Sequence, residues 1–123
     1  MKAHDLIGDI PILVLVDNGT THNFISPKLT TLLGFSVIDT HRQCVKFGDG
    51  HRLWSQGCCQ PFQLTMGTYS CFLTPQILDI GWLNLILGIS WLRTLGEVHI
   101  NRKALTMKFT AKDTTHILGA LAT

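Results

Sequence analysis

Charge is what this chain of 123 residues has least of: Asp, Glu, Lys and Arg together make up 15% of it. The ten Lys and Arg residues are scattered, Arg102-Lys103 being the only adjacent pair, and the formal net charge is +2. No basic stripe exists to follow a phosphate backbone, which argues against nucleic acid as a direct ligand. Long hydrophobic runs are also missing. The longest, Ile10 to Val16, is far too short to span a bilayer, and the start lacks the basic residues and cleavage site of a signal peptide. The chain is therefore expected to be soluble and cytoplasmic, with no membrane partner. Cysteine is sparse and badly spaced for a framework. Cys44, Cys58, Cys59 and Cys71 include no pair at two-residue spacing, and Cys58-Cys59 are vicinal, so neither a disulfide scaffold nor a zinc site is expected. The six histidines are dispersed as well, and neither a metal nor another cofactor is called for.

What the chain does have is apolar content, 46% of residues, with a positive mean hydropathy. One domain over residues 1–123 can bury about two-thirds of its unfolded surface. Such richness in a small domain points to a second subunit covering part of it. Short β-type runs recur at Leu6–Gly8, Ile10–Val16, Cys44–Phe47, His51–Ser55, Pro61–Met66, Tyr69–Leu73, Val98–Ile100 and Leu105–Phe109, separated by glycine or Asn-rich turn signals. The spacing predicts a mostly β domain with one or two short helices. Ser26-Pro27 opens one helix that runs to Leu33 and stops at Gly34, and a second covers Ser90 to Leu95 before Gly96. The core is expected over about 6–109, leaving a tail at 110–123 that either adds a last strand or frays.

The chemistry is expected where the apolar strand Ile10 to Val16 runs straight into Asp17, followed by Asn18, Gly19, Thr20 and Thr21. An acid at the end of a buried strand, ringed by donors, sits in a setting that tunes a carboxyl. An acid on a tight turn can also face an identical acid across a two-fold axis. Two carboxyls about 3 Å apart share one proton, so one can deprotonate water while the other polarises a carbonyl. The plainer reading is an ordinary turn, because Asp, Asn and Gly all favour turns. Competing motifs fail simple tests. Gly88-Ile89-Ser90-Trp91-Leu92 lacks the second glycine of a serine-hydrolase elbow, and no Lys-Ser or Lys-Thr follows the glycines around Asp49. Trp54, Trp82 and Trp91 read as core or dimer contacts, and His22 as a hydrogen-bonding residue of the active turn.

Four segments carry a resemblance. LVDNGTTHNFISPKL, KFGDGHRLWSQG, LNLILGISWLRTLG and ALTMKF, in that order, resemble the retropepsin-like aspartic protease domain of gypsy-type LTR retrotransposon polyproteins, over about Leu6 to Phe109. The resemblance implies a closed, β-rich acid-protease barrel acting as a homodimer on a peptide or polyprotein substrate, within the cell or a retroelement particle. It gives Asp17 the catalytic role and Gly19 the close turn beside it. Phe47, Gly48, Asp49, Gly50 and His51 match the flap that closes over bound peptide, and glycines flanking a loop tip suit a hinge. A plain hairpin turn fits those five residues equally. Ile86, Leu87 and Gly88 match the strand that packs beside the active turn, as structural support.

One position departs from the pattern. The family usually carries Ser or Thr after the catalytic Asp, where the hydroxyl ties the two active turns together; here it is Asn18, and Thr20 stands where Ala or Ser is usual. Two other readings therefore stay open: a catalytically silent dimerisation or peptide-binding module, and a retropepsin relative of the ubiquitin-receptor type. The segment HNFIS favours the transposon group over the latter. A single chain with one such prepared turn cannot build a two-acid site, so a second copy must supply the other acid.

Overall fold

The structure, a computed structural model, describes residues 2–39, 41–47 and 49–119. Lys2–Ile7 (β1) and Ile10–Val16 (β2) form an antiparallel hairpin closed at Gly8, whose φ of 59° suits the tight turn. Strand β1 begins earlier than its polar residues suggest, because its backbone pairs with β2 along nearly the whole of that strand. Phe24–Ile25 (β3) leads into Pro27–Leu33 (α1), then come Val37–Asp39 (β4), Cys44–Lys46 (β5), Arg52–Trp54 (β6), Cys58–Cys59 (β7), Phe62–Met66 (β8), Tyr69–Leu73 (β9), Gln76–Ile77 (β10) and Leu85–Leu87 (β11). Helix α2, Ile89–Leu92, continues into a 3₁₀ turn at Arg93–Leu95, and Val98–Asn101 (β12), Thr106–Ala111 (β13) and Thr114–Gly119 (β14) complete the described chain.

Nine strands make one curled sheet in the order β4-β7-β10-β3-β11-β2-β1-β8-β9; the domain is mostly β as the resemblance implies, but the sheet is a half-barrel rather than a closed one, because no ladder joins its edge strands β4 and β9 among the described residues. Both helices form where the sequence places them. In α1 the Ser26 hydroxyl accepts from Leu29 N at 3.0 Å, Pro27 occupies the first turn and Gly34, at φ 69°, ends it. Helix α2 starts one residue before the expected Ser90, and it has no side-chain cap.

Strand β11 shows how the interior is divided. Its three residues are all buried, since successive side chains point to opposite faces and each face has its own cluster. Leu85 and Leu87 join the main core with Val14, Ile25, Leu64, Trp91 and Phe109, among others. Ile86 turns the other way, into a smaller cluster with Phe24 and Leu78, against which Leu15, Val45, Phe47 and Leu53 pack.

The tail takes the strand alternative as far as residue 119. Thr110 and Ala111 still belong to β13, and β14 pairs with it from Thr106↔Gly119 to Ala111↔Thr114. The two-residue turn between them, Lys112-Asp113, has φ of 50° and 63°, a primed hairpin built without glycine. His116 and Leu118 of β14 are buried, and Thr68 Oγ1 lies 2.8 Å from His116 Nδ1. Tyr69, Phe109 and His116 meet as a ring cluster with centroids 5.0 to 5.5 Å apart, which docks the three-stranded sheet onto the β8–β9 hairpin.

Candidate active site

Strand β11 runs parallel to β2, pairing Leu85↔Val14, Ile86↔Leu15 and Leu87↔Val16. The pairing continues one step further: Asp17 N donates to Leu87 O at 2.9 Å. Asp17 is thus held by the ladder itself, at the point where β2 leaves the sheet. Its carboxylate Oδ1 accepts from Gly19 N at 2.8 Å, and Thr20 Oγ1 donates to Asp17 O at 3.2 Å. Those bonds fix the Asp17-Asn18-Gly19-Thr20 turn from within. A Cβ on Gly19 would lie 3.0 Å from Asp17 Oδ1, so glycine here leaves the carboxylate its place. Asp17 is half-buried in the single chain, whereas Asn18 and Gly19 are exposed. The site is more open than a buried strand end suggests, because the turn projects past the last β2–β11 pair.

Gly88 closes the turn from the other side. Ile89 N donates to Thr20 O and Ser90 N to Thr21 O, each at 2.9 Å, so the first residues of α2 lie flat against the chain leaving Asp17. A Cβ at Gly88 would fall 2.5 Å from His22 O, 2.6 Å from Thr20 O and 2.7 Å from Thr20 Oγ1. With φ at −99°, the need for glycine is purely one of space. Asp17, Gly19, Thr20, Thr21, Leu87 and Gly88 therefore come together as one unit, with Ile86 behind them in the smaller cluster.

The hairpin of β5 and β6 is a separate two-stranded sheet, and Val45, Phe47 and Leu53 on it pack toward Ile86 and Phe24. Its tip is tied locally: Phe47 N donates to His51 O at 2.8 Å, Gly50 N to Phe47 O at 2.9 Å, and His51 N to Asp49 Oδ1 at 2.9 Å. Gly50 adopts φ 88°. Gly48, the fifth residue of this group, lies outside the described residues. The base of the hairpin is clamped by Ser55, a fully buried residue whose hydroxyl accepts from Gln43 N at 2.9 Å and whose carbonyl accepts from Arg42 Nε at 3.0 Å.

Three supporting residues escaped the sequence reading. Asn23 Oδ1 accepts from Gly88 N at 2.9 Å, a job the sequence suggested for its neighbour His22, which is exposed and makes no side-chain hydrogen bond among the described residues. Asn84 Oδ1 accepts from Leu13 N at 2.7 Å, fastening the start of β11 to β2. Ser55 is the third. Their partners for Asn23 and Asn84 lie 65 and 71 positions away, so no local pattern marks them. Trp91 is core, while Trp54 and Trp82 are 60% and 67% exposed. All four cysteines are free thiols, and among the described residues no group of His, Cys, Asp or Glu is arranged to hold a metal ion. No helix among the described residues is long and apolar enough to cross a membrane.

No curated protein matches this chain significantly. Among solved structures, the retroviral protease-like domain of Ddi1 from Leishmania major superposes with a TM-score of 0.69 at 11% identity, over 99% of this chain and 90% of that one. At that identity the likeness speaks for the fold alone. Residues 1–113 match the family model for retroviral aspartyl protease, and with nearly its whole length so matched the chain belongs to that family.

Proposed function

We propose that this chain is an aspartic endopeptidase of a gypsy-type retrotransposon polyprotein, working inside the cell or a retroelement particle as a symmetric homodimer in which each copy contributes Asp17. The observation that supports this most is the double anchoring of Asp17, by the β2–β11 ladder at its backbone and by Gly19 N at its carboxylate. The chain's other Asp-X-Gly turn, Asp79-Ile80-Gly81, has the same local bond from Gly81 N to Asp79 Oδ1, at 3.1 Å, yet it is exposed and no strand ends on it. One copy thus offers one prepared acid, and the second must come from a partner. In the dimer the ionised carboxylate takes a proton from water as the water oxygen bonds to the scissile carbonyl carbon. The protonated partner gives its proton to the carbonyl oxygen. The carboxyl that took the water proton passes it to the nitrogen, the C–N bond breaks as the tetrahedral centre collapses to the acid, and the other carboxylate takes back a proton from a hydroxyl of the diol. The β5–β6 hairpin serves as the flap that covers the substrate.

A second reading rests on Asn18. Its carboxamide is exposed and makes no hydrogen bond among the described residues, so the turn lacks the hydroxyl the family uses to join two copies. On that reading the domain is a silent dimerisation or peptide-binding module. The test is cleavage of a complex peptide library between about pH 4 and 7, the range in which a coupled dyad holds one proton. Parent protein, Asp17→Asn and parent with a transition-state-mimicking inhibitor are run side by side. Cleavage that the mutation and the inhibitor both remove upholds the protease. A folded dimer that cleaves nothing, but gains activity as Asn18→Ser, upholds the silent module.

A further inference from the structure

Asn18 differs from the other three asparagines of the chain in both of its surroundings, the side chain's and the backbone's. Asn23 Oδ1 accepts from Gly88 N at 2.9 Å, Asn84 Oδ1 from Leu13 N at 2.7 Å and Asn101 Oδ1 from Ala104 N at 2.9 Å, so each of those carboxamides is held in place. Asn18 is exposed, and its carboxamide makes no hydrogen bond among the described residues. The held asparagines are followed by Phe24, Leu85 and Arg102, whose side chains crowd the next backbone nitrogen. Asn18 is followed by Gly19, which has no side chain to do so.

A free carboxamide beside an open backbone nitrogen is a reactive pair. A bond from Gly19 N to Asn18 Cγ closes a five-membered ring, and rotation of one side chain is enough to bring the two atoms together. An amide nitrogen attacks poorly while it keeps its proton, so a base must take that proton as the new bond forms. The turn supplies one. Gly19 N donates to Asp17 Oδ1 at 2.8 Å, within the reach of direct proton transfer. That carboxylate is held on the nitrogen, because Asp17 N donates to Leu87 O at 2.9 Å and Thr20 Oγ1 to Asp17 O at 3.2 Å. Two similar segments each lack a part. Asp79-Ile80-Gly81 has the carboxylate bond, yet Ile80 offers no carbonyl carbon to attack. Asp49-Gly50 has a side-chain carbonyl before glycine, but Asp49 Oδ1 is engaged by His51 N at 2.9 Å.

We infer that Asn18-Gly19 is a self-modification site, at which the Asp17 carboxylate serves as general base and the chain deamidates its own turn. The Gly19 nitrogen bonds to Asn18 Cγ as its proton passes to Asp17. The tetrahedral carbon then breaks its bond to the carboxamide nitrogen, which takes the proton from Asp17 and leaves as ammonia, and a succinimide remains. One water opens the ring at either carbonyl, giving aspartate at position 18 or its isoaspartyl isomer, whose backbone is one carbon longer. Either product adds a negative charge next to Asp17. The longer backbone also draws Gly19 N away from Asp17 Oδ1, so the turn has a lifetime set by its own acid. This holds whether the domain cleaves peptides or only binds them.

The test ages the purified protein at neutral pH and follows it by peptide mapping with mass spectrometry and by isoaspartyl methyltransferase labelling of the separated peptides. Conversion, a gain of about one mass unit, is expected at Asn18 while Asn23, Asn84 and Asn101 stay intact. The folded chain is expected to convert about threefold or more faster than a free peptide spanning Leu15 to Thr21, in which the same Asp17 is not held against the nitrogen. Asp17→Asn keeps an oxygen that can accept from Gly19 N but offers no base, and it is expected to slow conversion about tenfold or more, with circular dichroism showing that the variant is folded. A folded Asp17→Asn protein that converts Asn18 as fast as the parent would overturn the inference. So would a parent that converts more slowly than the free peptide, a comparison that stands even if the variant fails to fold. Conversion at Asn23, Asn84 or Asn101 ahead of Asn18 would overturn it as well.

Discussion

Replacing Gly88 by alanine is the sharpest probe of the candidate site, because it adds one methyl group at a point where the turn has no room. The added carbon would meet His22 O at 2.5 Å and Thr20 O at 2.6 Å, and ordinary contact begins at 3.4 Å. Relieving the first contact alone requires a shift of about 0.9 Å, and the obstacle is backbone, which cannot rotate aside as a side chain does. Thr20 O also accepts from Ile89 N, so moving it away strains that bond, and Thr20 in turn is bonded to Asp17. Overpacking of this kind costs about 1 to 3 kcal/mol. For a domain of this size, 2 kcal/mol lowers the melting temperature by roughly 8 °C. Displacing a catalytic carboxylate by about 1 Å costs on the order of a hundredfold in rate. Thermal melting followed by circular dichroism, together with kcat/KM on any cleaved peptide, reads both effects. A Gly88→Ala protein that melts within about 2 °C of the parent would refute the reasoning, whatever its activity.

Other substitutions test the supports of the turn. Asn84→Ala leaves Leu13 N without its acceptor and should cost about 1 to 3 kcal/mol in urea denaturation, with Asn84→Asp recovering most of it because an acceptor oxygen remains. Ser55→Ala frees Gln43 N at the base of the β5–β6 hairpin and should speed hydrogen exchange at Gln43, and in an active dimer raise KM more than it lowers kcat. Burial, and next the charge of neighbouring Cys58, push the Cys59 thiol from its ordinary 9.0 up to about 11. The folded state thus favours the neutral thiol, and the stability this confers is complete below pH 9 and is lost as pH rises toward 11. The loss should be roughly 2 to 3 kcal/mol, seen in urea midpoints across that range and reduced in Cys59→Val.

The sequence was most legible where local chemistry and tertiary role coincide. Ser26, Pro27 and Gly34 announce α1 because capping is a matter of neighbouring residues, and the helix forms with those caps. Ile10 to Val16 announces β2 because a strand in mid-sheet must be apolar over its length. Legibility fell where a partner far along the chain decides the structure. Cys58–Cys59, Gln76–Ile77 and Phe24–Ile25 are strands of two residues each, too short for any periodicity, and they exist because β10 finds β3 on one side and β7 on the other. The turn at Lys112-Asp113 left the final strand as only one of two alternatives, since it reaches its positive φ values without the glycine that marks such a turn in a sequence.

The candidate site follows the same division, and this bears on how such a site is built. Asp17, Gly19 and Thr20 are neighbours in sequence and close a turn by themselves, as the similar bond at Asp79-Ile80-Gly81 demonstrates. The local turn is common chemistry and confers nothing alone. What separates the two turns is that Asp17 stands at the end of a strand whose parallel neighbour, β11, accepts its N–H, while Gly88 and α2 press against the residues that follow it. Parallel pairing needs a long connection, so the two halves of this support are necessarily remote in sequence, and Asn23 and Asn84 stitch them at either end. Precision at the carboxylate is therefore a property of the β2–β11 pair rather than of the turn. Substitutions at Asn84 or Gly88, which touch no substrate, should reach Asp17 through that pair, whereas changes around Asp79 should leave it unmoved.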